Sequence, residues 1–123
     1  MPLLQQIRGL GKKVGLAFNP DYPVERIEPY LPDIDIALCM TVFPGFGGQA
    51  YIGDSDARIR HVRKLIDRSN PKCELEVDGG IDRATIVRAA ESGATVFVAG
   101  TAVFGTAEGP AESTRRLIAL ARR

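Results

Sequence analysis

The sequence lacks the features that mark nucleic-acid-binding, membrane or secreted proteins. Its 123 residues carry a formal net charge of only +1, and basic residues alternate with acidic ones, so no nucleic-acid surface is indicated. No segment approaches the roughly 20 apolar residues of a membrane span, and the first residues lack the apolar segment of a signal peptide. We therefore expect a cytoplasmic protein that binds neither nucleic acid nor membrane.

Cysteine and histidine are also scarce, which limits disulfide and metal chemistry. Cys39 and Cys73 lie inside apolar runs without C-x-x-C spacing, so buried free thiols are favoured over a disulfide. The single histidine, His61, stands among basic residues in a predicted helix and cannot build a metal site by itself. We interpret it as a solvated residue, and we interpret the charged run from Asp54 to Arg60 in the same way.

Along the chain, short continuous apolar runs alternate with segments in which apolar residues recur at helical spacing. The composition, 45% hydrophobic and 25% charged, is typical of one ordinary domain covering residues 1–123. Four short apolar runs predict buried strands at residues 13–18, 33–42, 73–77 and 95–99. Helical spacing predicts five helices, at residues 3–10, 24–31, 54–69, 83–92 and 110–122. Of these, the fourth is expected to be capped by Asp82 and to stop at Gly93.

This alternation predicts an α/β architecture. Strands that are apolar on both faces and separated by single helices favour parallel pairing, with the helices packed outside the sheet. No linker or low-complexity segment divides the chain into two domains.

Three glycine-rich segments each follow an apolar run. They are "MTVFPGFGGQ" (40–49), "EVDGGID" (76–82) and "VAGTAVFG" (98–105). In parallel α/β folds ligands gather at the carboxyl ends of strands, and glycine lets backbone N–H groups approach an anion closely. For any one segment, the ordinary preference of strand-to-helix turns for glycine is a sufficient explanation; for the three together we favour a phosphate site.

Asp78 is the one carboxylate embedded in this glycine-lined rim. It ends the predicted strand at residues 73–77 and precedes Gly79 and Gly80. We expect it to face the pocket, although an aspartate that only forms the turn before two glycines is the alternative.

The three segments, in this order and spacing, resemble the ribulose-phosphate 3-epimerase family. "KKVGLAFNP" near the start also resembles that family's strand ahead of an Asn-Pro turn, so the likeness covers nearly the whole chain and the family's fifth to eighth βα units. The resemblance implies half of a TIM (β/α)8 barrel with four parallel strands. It also implies interconversion of ribulose 5-phosphate and xylulose 5-phosphate, with a divalent metal such as zinc.

The resemblance assigns roles to particular positions. Asp78 is similar to a residue that is both a metal ligand and one of two acid–base aspartates. The positions that resemble substrate phosphate-binding residues, in three loops, are Gly45, Phe46, Gly47 and Gly48, then Gly79 and Gly80, then Gly100 and Thr101. Phe43 departs from the family, which often has Asn there.

The chain is short for this family. A complete (β/α)8 barrel takes about 250 residues, whereas this chain has 123. The family's other aspartate, its histidine ligands and its remaining metal carboxylate belong to the first four βα units, which have no counterpart here. We therefore expect the chain alone to be inactive and to act with a second copy as a homodimer or with a complementary half-barrel. The alternatives are a half-barrel that binds sugar phosphates without turnover and a related enzyme, such as a hexulose-phosphate (allulose-phosphate) epimerase or a decarboxylase of the same superfamily.

Overall fold

A four-stranded parallel sheet forms the centre of the protein. The computed structural model describes residues 2–45 and 49–122. The strands are β1 (Gly15–Phe18), β2 (Ile36–Met40), β3 (Glu74–Asp78) and β4 (Val96–Val98). They lie in sequence order β1-β2-β3-β4, and each neighbouring pair is parallel. The predicted strands and their parallel pairing are confirmed, with ends that differ from the predicted ones by at most three residues.

Helices precede, separate and follow the strands. They are α1 (Pro2–Gly9), a 3-10 helix (Val24–Asp33), α2 (Ser55–Ser69), α3 (Arg83–Ser92), α4 (Thr101–Phe104) and α5 (Pro110–Ala121). The second segment is a 3-10 helix that contains Pro29 and Pro32, and proline removes the amide donors that a regular α-helix needs. The four-residue helix α4 was not predicted.

Helix α3 begins and ends as the sequence predicted. The Asp82 carboxylate accepts hydrogen bonds from the backbone N–H groups of Ala84 and Thr85, both at 2.9 Å. The Thr85 hydroxyl accepts the Asp82 backbone N–H at 2.8 Å, which completes a capping box. Gly93 follows the last turn with φ +122°, a conformation that favours glycine.

The two faces of the sheet differ in burial. Side chains alternate between the faces along each strand, and the buried residues on the helix-covered face are Phe18, Ala37, Cys39, Leu75 and Val77. The opposite side, which we call the open face, comprises Gly15, Ala17, Ile36, Leu38, Met40, Glu74, Glu76, Asp78, Val96 and Val98. Each of these ten residues is half-buried or exposed. The open face is thus largely apolar but carries three carboxylates, those of Glu74, Glu76 and Asp78.

Both cysteines are buried free thiols, as predicted. Burial raises the pKa of Cys39 to about 11, against a weaker opposing effect of Arg58. The thiol is therefore protonated at neutral pH. In the part of the chain that the structure describes, no helix has the length and apolar character needed to cross a membrane.

Candidate functional site

The carboxyl ends of the last three strands open onto one cleft of about 720 Å³. Of the predicted site residues, the cleft is lined by Asp78, Gly79, Gly80, Gly100 and Thr101. Gly45 is exposed and does not line the cleft. The remaining predicted residues, Phe46, Gly47 and Gly48, lie outside the described residues.

The two glycines after β3 occupy positions that other residues would not fit. Gly79 has φ +127° and Gly80 has φ +68°. A Cβ on Gly79 would lie 2.4 Å from Val42 Cγ2, and one on Gly80 would lie 2.3 Å from the backbone nitrogen of Tyr51. The loop after β3 therefore packs directly against the chain that follows β2, and only bare backbone permits that approach.

Hydrogen bonds hold the β3 loop from both sides. The Thr41 hydroxyl donates to the Gly79 carbonyl oxygen at 2.5 Å, and the Thr41 backbone N–H donates to the Asp78 carbonyl oxygen at 3.0 Å. On the other side, the Thr85 hydroxyl donates to the Gly80 carbonyl oxygen at 2.7 Å. These bonds engage the carbonyl groups of the loop and leave its amides available.

The amides of Gly79, Gly80 and Gly100 donate no hydrogen bond to any other described residue. Backbone N–H groups need an acceptor, which is supplied by protein, water or ligand. Three such donors in the loops around one cleft form an arrangement suited to an anion.

The two carboxylates that line the cleft have different environments. Asp82 is occupied as the cap of α3, and the backbone N–H of Thr85 is the main influence that lowers the pKa of Asp82. The side chain of Asp78 makes no hydrogen bond or ion pair with any described residue. Asp78 lies half-buried on the open face, in register with Met40 on β2 and Val98 on β4. It is therefore the carboxylate that is free to act on a ligand.

A cluster of Tyr51, Asp56 and Arg88 borders the cleft and was not predicted. The Tyr51 hydroxyl donates to Asp56 Oδ1 at 2.6 Å, and Arg88 Nε donates to Asp56 Oδ2 at 2.9 Å. The Arg88 guanidinium carbon also lies 5.1 Å from the centroid of the Tyr51 ring. Burial acts to raise the pKa of Asp56, but the bonds from Tyr51 and Arg88 outweigh it and lower that pKa. Burial, followed by the bond to Asp56, raises the pKa of Tyr51.

The interpretation of the charged run at the start of α2 as a solvated face is wrong for two of its members. Asp56 joins the cluster just described, and Arg58 donates to the carbonyl oxygens of Asn19 and Tyr22, both at 3.0 Å. Both side chains reach partners outside their own helix, and sequence spacing does not reveal such contacts. His61 lies half-buried on α2, away from the residues that line the cleft.

The described residues do not fit a divalent metal by themselves. They contain no group of three or more His, Cys, Asp or Glu side chains arranged to hold a metal ion. Asp78, the predicted ligand, has no co-ligand among them, whereas protein metal sites generally use several.

Four parallel strands in sequence order, with a cleft at their carboxyl ends, define an α/β protein of the TIM-barrel type. Residues 2–104 match the profile of the Ribulose-phosphate 3 epimerase family. The chain belongs to this family, and the resemblance seen in its three glycine-rich segments is confirmed. The four strands are consistent with half of the family's barrel.

Individual relatives give the same result. The chain is 46% identical over 102 residues to a ribulose-phosphate 3-epimerase of Serratia marcescens, an alignment covering 83% of this chain and 49% of that protein. It is 41% identical over 117 residues to a ribulose-phosphate 3-epimerase of Aquifex aeolicus, covering 95% and 52% of the two chains. The identity to that of Escherichia coli K12 is 44% over 101 residues, covering 82% and 45%. The chain therefore spans about half the length of the curated relatives it matches.

Proposed function

We propose that this chain supplies the phosphate-binding part and one acid–base group of a ribulose-phosphate 3-epimerase site. One observation carries the proposal: the unpaired Asp78 carboxylate lines the same cleft as Gly79, Gly80 and Gly100, whose amides have no partner among the described residues. The substrates are ribulose 5-phosphate and xylulose 5-phosphate, which differ in configuration at the carbon beside the ketone.

The reaction requires a proton to leave one face of that carbon and another to arrive at the opposite face. In our proposal Asp78 removes or delivers the proton on its own side of the substrate. The loop amides hold the phosphate and thereby fix the distance from the reacting carbon to the Asp78 carboxylate. By family resemblance, Thr101 and residues 45–48 complete the phosphate contacts.

In our proposal the second acid–base group comes from outside the described residues, because those that line the cleft offer no second free carboxylate. The other described carboxylate that lines the cleft, Asp82, is committed to capping α3. Zinc binding, which the resemblance implies, likewise needs further ligands beside Asp78. Both requirements point to a second half-barrel packed on the open face.

For the isolated chain we propose that this second half-barrel is another copy. With a twofold axis along the barrel, β1 of each copy would pair with β4 of the other copy. The two four-stranded sheets would then close into one eight-stranded barrel. Closure would remove both sheet edges and bury the apolar residues of the open face. The single domain over residues 1–123 and the cytoplasmic location stay predictions.

A half-barrel that binds sugar phosphates without turnover is the second candidate. The observation that favours it is that the described residues lining the cleft include no second free carboxylate beside Asp78, and that the described residues contain no metal-holding group. Epimerase activity in a reconstituted barrel separates the two candidates.

The deciding experiment mixes this chain with an amino-terminal half-barrel taken from a homologous epimerase and measures conversion of ribulose 5-phosphate to xylulose 5-phosphate with added zinc. We expect activity from the mixture and a loss of about 10²- to 10⁴-fold in Asp78→Asn. Asp82→Asn is the matched control, because it removes a carboxylate from the same cleft while asparagine still caps the helix. Full turnover in Asp78→Asn would rule out the proposed acid–base role, and no turnover in any wild-type mixture would favour the binding module.

A further inference from the structure

Arg88 is the one basic side chain among the described residues that line the cleft. It lies in the second turn of α3, whose amino terminus is capped by Asp82 at the cleft. Long side chains on a helix lean toward its amino terminus and cover the preceding turn. Arg88 lines the cleft together with Thr85, whose hydroxyl donates to the Gly80 carbonyl oxygen.

Contacts with Asp56 and Tyr51 fix the orientation of this guanidinium group. Arg88 uses only Nε to bind Asp56, and the group lies over the Tyr51 ring. In the described part of the chain, its two terminal nitrogens have no hydrogen-bond partner. The side chain is 46% exposed, so these nitrogens are accessible to a ligand.

Tyr51 connects this cluster to the β3 loop. Its backbone nitrogen lies where a Cβ on Gly80 would come within 2.3 Å, while its ring lies beneath Arg88. Arg88 and Gly80 are therefore both close neighbours of Tyr51.

We propose that Arg88 is a phosphate-binding side chain that adds two directed N–H donors to the backbone amides of the loops. This inference rests on the proposed function, because it takes the phosphate of a sugar phosphate as the ligand. The planar guanidinium presents parallel donors that match two phosphate oxygens, and Asp56 holds Nε so that this pair of donors is preoriented.

The alternative is that Arg88 only tethers α3 to α2 through Asp56. Two variants separate the roles, since Arg88→Gln and Asp56→Asn break the same ion pair but only Arg88→Gln removes the cation. Arg115→Gln is the control for loss of one positive charge, because Arg115 is exposed on α5 and pairs with Glu112 at 2.9 Å.

The test measures binding of inorganic phosphate and of ribulose 5-phosphate by titration calorimetry, with thermal unfolding of each variant alongside. We expect Arg88→Gln to weaken binding about tenfold, as for loss of a charge-assisted hydrogen bond. Asp56→Asn should weaken binding by no more than about threefold, corresponding to a lost orienting contact. Arg115→Gln should bind as the wild type does, and Arg88→Lys should lie between Arg88→Gln and the wild type.

Equal affinities for the wild type and Arg88→Gln would overturn the inference and leave the proposed function intact. Equal losses in Arg88→Gln and Asp56→Asn would also overturn it, because they would assign the effect to the tether. A wild-type chain that binds neither ligand would refute both the inference and the proposed phosphate site.

Discussion

The backbone nitrogen of Tyr51 lies so close to Gly80 that a Cβ on the glycine would stand 2.3 Å from it. This contact joins the chain after β2 to the loop after β3, and the bond from Thr41 to the Gly79 carbonyl oxygen reinforces the junction. Two loops that follow neighbouring strands are thereby fixed as one wall of the cleft. The geometry of the candidate site thus depends on backbone packing as well as on side chains.

Substituting Gly80 by alanine is expected to disrupt that wall. The added Cβ meets backbone, which cannot move aside cheaply, and φ +68° disfavours alanine. We expect the free energy of unfolding to fall by about 3 kcal/mol in Gly80→Ala, from overpacking and backbone strain together. Urea unfolding followed by circular dichroism measures the change.

Gly100→Ala is the matched comparison. A Cβ on Gly100 has nothing within 4 Å, and its φ of −108° is negative. The fold should therefore lose less than about 1 kcal/mol. An equal loss of stability in the two variants would contradict the view that Gly80 is required by its neighbours and Gly100 is not.

Asp82 is expected to give α3 an acid-sensitive contribution to stability. The backbone N–H of Thr85 lowers the pKa of Asp82 in the folded chain below its ordinary value of 3.8. A depressed carboxyl pKa stabilises the folded state above the unfolded pKa, and this stability is lost as the pH falls through the folded pKa. We therefore expect the stability difference between wild type and Asp82→Asn to change below about pH 4, in favour of the variant.

Chemical unfolding of both proteins at pH 7 and at several values below pH 4 checks this. Asp82→Ala, which removes the cap altogether, should cost about 1 kcal/mol at pH 7. If the free energies of unfolding of the wild type and Asp82→Asn differ by the same amount at every pH, the cap does not depend on the charge of Asp82.

The isolated chain is expected to associate into a dimer. Val98 on the open face is 41% exposed and Ile118 on α5 is 45% exposed, yet only Val98 would be buried when two sheets close. Sedimentation equilibrium at low micromolar concentration should give twice the 13.3 kDa of one chain. Val98→Lys should shift the equilibrium toward monomer, and Ile118→Lys should leave it unchanged. A folded wild-type monomer of 13.3 kDa would contradict closure by a second copy.

The strands and four of the helices could be predicted because their signals are local. The apolar runs end near glycine or proline. Asp82 and Gly93 are residue types suited to helix caps, and they mark the two ends of α3. The 3-10 helix was predicted as an ordinary helix, since apolar spacing alone does not distinguish the two forms. Helix α4 has only four residues, too few to show a helical period.

The site was predictable only in part. Gly79 and Gly80 follow a strand directly, and their position at its carboxyl end follows from the topology of a parallel sheet. Arg88 and Asp56 are 32 residues apart on different helices, and nothing in the spacing indicates that they meet. Contacts of this kind depend on how α2 and α3 pack, which is a tertiary property.

The central claim is that the loops around Asp78 bind the phosphate of a sugar phosphate. It is tested most directly by titrating inorganic phosphate into the ¹⁵N-labelled chain and following the backbone amide resonances of Gly79, Gly80 and Gly100 by NMR. We predict saturable shifts at these amides, with little change at amides of α5 such as Leu117. Spectra that show a folded protein with no shift at the three glycines, even at millimolar phosphate, would contradict the account.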